Sequence, residues 1–353
     1  MTTRARLRDL GVIVGRLPTG RHNAITDVPG VRVGHATLVT DAPASARSGV
    51  TVVLPTASEP YREQVFAGFH RFNGFGEMTG VHWVAESGIL ASPIAVTSTY
   101  SVGVMRDALI QDRFRHAPWA AGVQPLVAET SDAWLSDGSR PLVTAEHLHA
   151  AMAAAAAGPV AEGNVGGGTG MICHEFKGGI GTASRRVETP SGAFTVGALV
   201  QANYGKRVEL TVAGVPVGRT LTRRIVPLPR EEDGSIIIIV ATDAPLLPPQ
   251  CTRLAQRATV GLGRVGGTGA NGSGDLFLAF STGNIVPSQP ERPVEGLRML
   301  PNGQMSPLFT GVAEAVEEAI VNAMCMAETM TGQQGRVVHA LPLDRLVELC
   351  RPA

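Results

Sequence analysis

Gly266-Gly-Thr-Gly-Ala-Asn-Gly-Ser-Gly-Asp275 runs directly into Leu276-Phe-Leu-Ala-Phe-Ser281. The second stretch has the length and apolarity of a buried strand, so a glycine-rich loop delivers Ser273 to the start of a strand. A dinucleotide fingerprint is spelled formally by Gly267, Gly269 and Gly272, but it needs a helix after it. A nucleophile elbow needs G-x-S-x-G on a strand-to-helix turn, and Asn271-Gly-Ser-Gly-Asp275 leads into a strand instead. What suits this order is a serine at the first position of a strand, preceded by a loop that ends in glycine. Two readings stand side by side: an ordinary glycine turn, or a chain that is cut between Gly272 and Ser273. In the second, Ser273 acquires an α-amine beside its own hydroxyl. Such an amine titrates near about 7.7–8.0 and acts as a general base around neutrality, the logic of N-terminal nucleophiles. The serine oxygen can make the cut by attacking the Gly272 carbonyl, and glycine tolerates the distorted backbone this requires. The fragments would be residues 1–272 and 273–353.

Composition narrows the partners. Acidic and basic side chains balance at 30 each, and charged residues make up 17% of the 353, below a typical ~25%. No block of like charge suggests nucleic acid or a membrane surface. The 42 glycines show neither a collagen period nor a linker tract, so they must sit at particular places. Cys173, Cys251, Cys325 and Cys350 have no short spacing and read as reduced thiols. Lys177 and Lys206 lack a Walker A context, and no H-E-x-x-H occurs, so neither a cofactor nor a metal is expected. No apolar stretch follows the charged N-terminus, and no run approaches the ~18 residues of a membrane span; a cytoplasmic protein is the default expectation.

Along the chain, Val50–Leu54, Ile94–Thr97, Gln124–Ala128, Ala193–Tyr204, Val208–Val212 and Ser235–Ala241 read as strands. Helices are expected over 145–157, 243–258 and from Ser306 to about Thr331, the last opened by Ser306-Pro307. Strands and helices mix without a linker, which predicts a single α/β catalytic domain over 1–353.

Asn271-Gly-Ser-Gly-Asp275 also resembles the DmpA-type family of L-aminopeptidase/D-esterases and β-peptidyl aminopeptidases. So do Asp27-Val-Pro-Gly-Val-Arg-Val-Gly-His35, Asn73-Gly-Phe-Gly-Glu77, Gly163-Asn-Val-Gly-Gly-Gly-Thr-Gly-Met171, Phe176-Lys-Gly-Gly-Ile-Gly-Thr182, Gln201-Ala-Asn-Tyr-Gly205, Ala241-Thr-Asp-Ala-Pro245 and Glu317-Glu-Ala-Ile320. The resemblance implies a four-layer α/β/β/α sandwich, self-cleavage before the nucleophile, and oligomers, commonly tetramers of processed units. It also implies removal of N-terminal residues from short peptides, amides or esters, D- and β-amino acids included. On this pattern Ser273 is the nucleophile and Asn203 the oxyanion donor. The family also places a serine and a glutamate two residues apart beside the nucleophile's amine. If Glu317 is that glutamate, its companion position holds Ala315.

Glu317 has support from the residues themselves, because it shares a helical stripe with Ala313, Ile320 and Met324. A carboxylate there needs a cationic or hydrogen-bonding partner, such as the Ser273 amine; Glu314 and Glu318 read as solvated. An aminopeptidase must also hold its substrate's ammonium. Glu129, Asp132 and Asp137 are the candidate acids, with Trp134 and Leu135 as pocket walls and Glu77 as a weaker alternative. Asp275 reads as stabilising its turn, and Gly166 to Gly170 as allowing close approach of chains. The nearest rival function is acyl transfer of the ornithine acetyltransferase kind, on the same fold; a binding homologue without activity is another.

Overall fold

The run Ser235-Ile-Ile-Ile-Ile-Val-Ala-Thr242 is apolar at consecutive positions and is buried throughout. Side chains alternate across a strand, so Ile236, Ile238 and Val240 enter one core and Ile237, Ile239 and Ala241 another. A strand loaded on both faces belongs in the middle of a layered sandwich.

A computed structural model describes residues 4–119, 122–227 and 234–351. Its longer strands, with their short partners, are β1 (Arg32–Thr40), β2 (Ala46–Leu54), β3 (Glu63–Gly74), β4 (Ile89–Leu90), β5 (Ile94–Ser98), β6 (Leu126–Thr130), β7 (Ile172–Cys173), β8 (Phe176–Lys177), β9 (Gly179–Thr189), β10 (Gly192–Asn203), β11 (Ser235–Thr242), β12 (Gly274–Pro287), β13 (Met330–Thr331) and β14 (Val337–Val338). The helices are α1 (Val81–Ser87), α2 (Val102–His116), α3 (Ala145–Ala153), α4 (Val217–Thr220), α5 (Pro248–Val265), α6 (Ser306–Met326) and α7 (Leu343–Cys350).

One sheet has the order β1-β2-β5-β6 and the other β4-β3-β12-β11-β10-β9. Helices α2 and α3 cover the outer face of the first, through Leu109, Met105 and Leu148 on Val50, Val52 and Val127. Helices α5 and α6 cover the second, through Leu254, Ala258, Val312 and Ile320. Between the sheets lie Val53, Val96, Leu199, Ile237 and Leu278. The result is helix, sheet, sheet, helix, as the resemblance implies. β11 and β12 are parallel and joined through α5, while all other pairs in the large sheet are antiparallel. That crossover sets the starts of β11 and β12 side by side, and this is where the site forms.

Four local expectations need correction. The helix expected from 243 begins at Pro248, because Pro245 and Pro248 disfavour helical backbone in the residues before them; Leu247 is extended and Gly266 closes the helix in the left-handed conformation. Val208–Val212 is not a strand: a 3-10 turn covers Arg207–Glu209, and Ala213 and Gly214, both at positive φ, fold Val215 back on Val212. The helix from Ala145 stops at Ala153, since Ala156 is drawn into pairing with Val33 of β1. Helix α6 ends at Met326, where Ala327 turns extended toward β13.

Candidate active site

Ser273 is the residue before β12 and is 3% exposed. Its N–H donates to the Ala270 carbonyl at 2.8 Å, and its own carbonyl accepts from Phe75 N–H at 3.2 Å and from the Asn73 amide. Its hydroxyl donates to Asp275 Oδ1 at 2.6 Å. Burial pushes the Asp275 carboxyl up to about 6, opposed by the Ser273 hydroxyl and the Ile236 N–H. Asp275 is therefore more than a turn former: it is a buried acid holding a serine hydroxyl two residues away.

A second serine adjoins this pair. Ser235 opens β11, follows Gly234, and is buried. Its Oγ accepts the Gly274 N–H at 3.0 Å. Gly274 has to be glycine here, because a Cβ would fall 2.6 Å from the Phe75 carbonyl oxygen. Directly across the ladder from Ser235 is Asn203, the last residue of β10. Asn203 is 1% exposed; its Oδ1 accepts the Ile172 N–H at 2.8 Å, while its Nδ2 has no partner among the described residues. A buried amide donor without an acceptor is costly, and it stands beside a serine. Gly234 and Ser273 line one cavity of about 90 Å³, with Tyr204 and Lys206 on its wall.

Sequence reasoning passed over Ser235. The signal was present, since Gly234-Ser235 before Ile236 obeys the same rule that singled out Gly272-Ser273.

Among the candidate acids, Glu129 reaches the site. It ends near the tip of β6 and is 4% exposed. Its Oε1 accepts the Glu77 N–H at 2.9 Å and its Oε2 accepts the Thr99 hydroxyl. Gly76, whose Cβ would stand 3.0 Å from the Gly274 Cα and 3.2 Å from Glu129 Oε1, links this acid to the start of β12. Burial raises the Glu129 carboxyl, and the two hydrogen bonds lower it. No cation pairs with it among the described residues. An open cleft of about 520 Å³ lies alongside, bounded by Gly76, Glu77, Met78, His82 and Leu276.

The other candidates are placed differently. Asp132 is buried and pushed up to about 6, chiefly by desolvation and further by the nearby Glu129; its Oδ2 has no hydrogen-bond partner among the described residues, and its carbonyl anchors the turn to Leu135 and Ser136. Leu135 is fully buried against Ile172 and Val338, so it is core and not a pocket wall. Trp134 stacks under Arg336, whose guanidinium carbon is 4.3 Å from the ring centre. Asp137 is half-buried and accepts the Ser139 N–H at 3.0 Å, which holds its carboxyl low. In the other glycine cluster, a Cβ at Gly167 or Gly168 would collide with the Gln201 side chain or the Ile180 backbone, so close approach is its use.

On α6 the structure does not bring Glu317 to Ser273. The Glu317 carboxylate pairs with Arg264 at 3.2 Å, across to the end of α5. Burial raises it and Arg264 opposes the rise. Glu314 and Glu318, expected in solvent, are 3% and 0% exposed. Arg185, itself fully buried, bonds Glu314 at 3.1 Å and Glu318 at 2.6 Å, and Arg8 bonds Glu318 at 2.9 Å. Residues 4–28 fold over this face of the helix, which is why it is not solvated.

Stacked sheets between helix layers, with a buried serine after a glycine opening a central strand, define the class of N-terminal-nucleophile hydrolases. The chain belongs to peptidase family S58, whose model matches residues 23–338. It is similar to the beta-peptidyl aminopeptidase BapA of Sphingosinicella microcystinivorans, at 45% identity over 96% of this chain and 89% of the relative. The structure of a Burkholderia sp. beta-aminopeptidase superposes with a TM-score of 0.94 at 52% identity, covering 99% of this chain and 100% of that one. An L-aminopeptidase D-Ala-esterase/amidase from Ochrobactrum anthropi, described as a variant of the Ntn hydrolase fold, superposes at 0.88 with 43% identity over 97% and 96% of the two chains. The chain is a serine aminopeptidase of this hydrolase class.

Proposed function

We propose that the chain cuts itself between Gly234 and Ser235, and that Ser235 is then the nucleophile. The observation that carries this is the pair Ser273 and Asp275 at the start of β12, bonded at 2.6 Å, beside Gly234 and Ser235 at the start of β11. It matches the serine and acid two residues apart that the resemblance calls for beside the nucleophile's amine, with aspartate in place of glutamate. Ser273 thus moves from nucleophile to positioning residue, and the cut moves from Gly272–Ser273 to Gly234–Ser235.

In the cut, Ser235 Oγ attacks the Gly234 carbonyl carbon, the Gly234–Ser235 C–N bond breaks, and the nitrogen takes the proton the hydroxyl gives up. Water hydrolyses the resulting ester and leaves Ser235 with a free α-amine. In turnover that amine takes the hydroxyl proton as Oγ attacks the substrate carbonyl, and delivers it to the leaving amine. The Asn203 Nδ2, without an acceptor in the resting chain, is suited to hold the developing oxyanion. Asp275, through the Ser273 hydroxyl, orients the Ser235 amine.

Glu129 is the acid for the substrate's ammonium. A buried carboxylate with donors but no cation lacks the partner its charge calls for, and an N-terminal amine supplies one. The substrates are amino-terminal residues of short peptides, amides or esters, β-amino acids included, in keeping with the relatives' names. The test is hydrolysis of a series of aminoacyl p-nitroanilides and β-alanyl amides. Glu129→Gln is expected to lower kcat/KM about ten- to a hundredfold, the worth of a hydrogen bond to a charged group, chiefly by raising KM. Loss of the same size in Asp132→Asn and none in Glu129→Gln would reassign the ammonium site.

A further inference from the structure

Beyond Asn203 the chain turns through Lys206 and Arg207 into a cavity of about 400 Å³, lined also by Arg219 and Arg223, with Glu175 the one acid among the described lining residues. In a chain of zero net charge this is a local concentration of four cations. Among the described residues no ion pair joins Lys206, Arg207, Arg219 or Arg223 to a carboxylate. Arg207 is the telling member, being 3% exposed. Its guanidinium lies 4.1 Å above the Phe176 ring and donates to the carbonyls of Val226 and of Glu175, the latter at 2.5 Å, while its Nε has no partner. Burial of this kind draws its pKa down to about 10. The hydrogen bonds of this buried guanidinium go to carbonyls, and the Glu175 carboxylate acts on it only through its field; Lys206, Arg219 and Arg223 at the rim add to the positive potential.

We infer that this cavity receives the carboxylate at the C-terminal end of a peptide substrate, on the leaving-group side of the scissile bond. The inference rests on the proposed function of the site. Lys206 lines both this cavity and the one that holds Ser273 and Gly234. It lies three residues past Asn203, which faces Ser235 across the ladder, so the two Cα atoms are at most about 11 Å apart. A leaving group of two or three residues spans about 7–11 Å when extended. Arginine's planar fork matches a carboxylate bidentately, and a neutral amide end offers it no charge.

The test compares tripeptides and tetrapeptides with a free C-terminus against the same peptides amidated at that end, using processed full-length enzyme. Wild type is expected to favour the free acid by about tenfold in kcat/KM, and the ratio should fall toward one in Arg219→Gln/Arg223→Gln. Both residues are exposed, so the fold is not at stake. A wild-type ratio near one, or a ratio unchanged in the double variant, overturns the inference while leaving the hydrolase reading intact. No hydrolysis of either peptide or of an aminoacyl anilide would instead sink that reading. Inorganic phosphate is expected to compete with the free-acid peptide only. Equal effects on both peptides would mean that the cavity serves a free anion, and would also overturn it.

Discussion

Two groups of buried acids in this molecule are built on opposite rules. On α6, Glu314, Glu317 and Glu318 each meet a guanidinium, from Arg185, Arg264 or Arg8. At the meeting of β6, β11 and β12, Glu129 and Asp275 are just as buried and, among the described residues, meet only hydroxyls and backbone N–H groups. The first group is charge-balanced within the chain and ties the N-terminal segment to the helix layer. The second is left short of cations, and on the proposed function they arrive with the chemistry: the new ammonium of Ser235 for Asp275, the substrate's ammonium for Glu129. The paired acids hold segments of the chain together, and the proposed function gives Glu129 and Asp275 the partners they lack.

The largest effects are expected at the serines. Ser235→Ala is expected to abolish processing and lower kcat by at least about 10³-fold, as loss of a nucleophile does, measured by gel and by anilide hydrolysis. Ser273→Ala is expected to keep slower processing and to lose about 10²-fold in kcat. The reverse ranking would return the nucleophile to Ser273.

On the structural side, Glu318→Gln leaves the buried Arg185 with Glu314 as its one carboxylate among the described residues and takes from Arg8 its partner. Breaking a buried pair by removing one partner costs about 3–5 kcal/mol. Urea unfolding at fixed pH is expected to show a loss of this size in the processing-deficient chain, where cleavage does not confuse the transition. A loss below about 1 kcal/mol would remove the distinction between the two groups of acids.

The smallest effect is a shift with pH. Ionised Asp275 stabilises the Ser235 ammonium and so raises the amine's pKa; kcat/KM rises with pH as that amine gives up its proton. Asp275→Asn is expected to move the acid limb to lower pH, by about one unit, along with a reduced rate, whereas Asp132→Asn leaves the limb in place. For stability the sign is separate. The Asp275 carboxyl of the uncut chain is raised from 3.8 to about 6. Its contribution therefore favours the fold at low pH and is lost as pH rises through about 6.

Much of the architecture was legible in the chain. Ile236 to Ala241 read as a strand covered on both faces, and Leu276 to Ser281 as another strand, because burial on two sides leaves an apolar run in sequence; that the two pair came from the structure. Asn203 was singled out by the Gln201 to Gly205 motif, and Glu129 only together with Asp132 and Asp137, from the segment after a strand. What was not legible depends on contacts between distant segments. Glu317 and Glu318 looked like stripe and solvent residues because a helical wheel takes one face as exposed, whereas residues 4–28 cover that face of α6. Gly234-Ser235 and Gly272-Ser273 satisfy the same local rule, and the glycine cluster before Ser273 made it the more conspicuous. The rule cannot rank them. The ranking comes from strand pairing, which gives Ser273 an acid to hold and sets Ser235 opposite a spare amide donor.

Which bond is cut decides between Ser235 and Ser273 as the nucleophile. Intact mass and N-terminal sequencing of the purified protein should give fragments 1–234 and 235–353, the second beginning Ser-Ile-Ile-Ile. A second terminus reading Ser-Gly-Asp-Leu, from a cut before Ser273, or one uncut chain in active enzyme, would contradict a cut before Ser235.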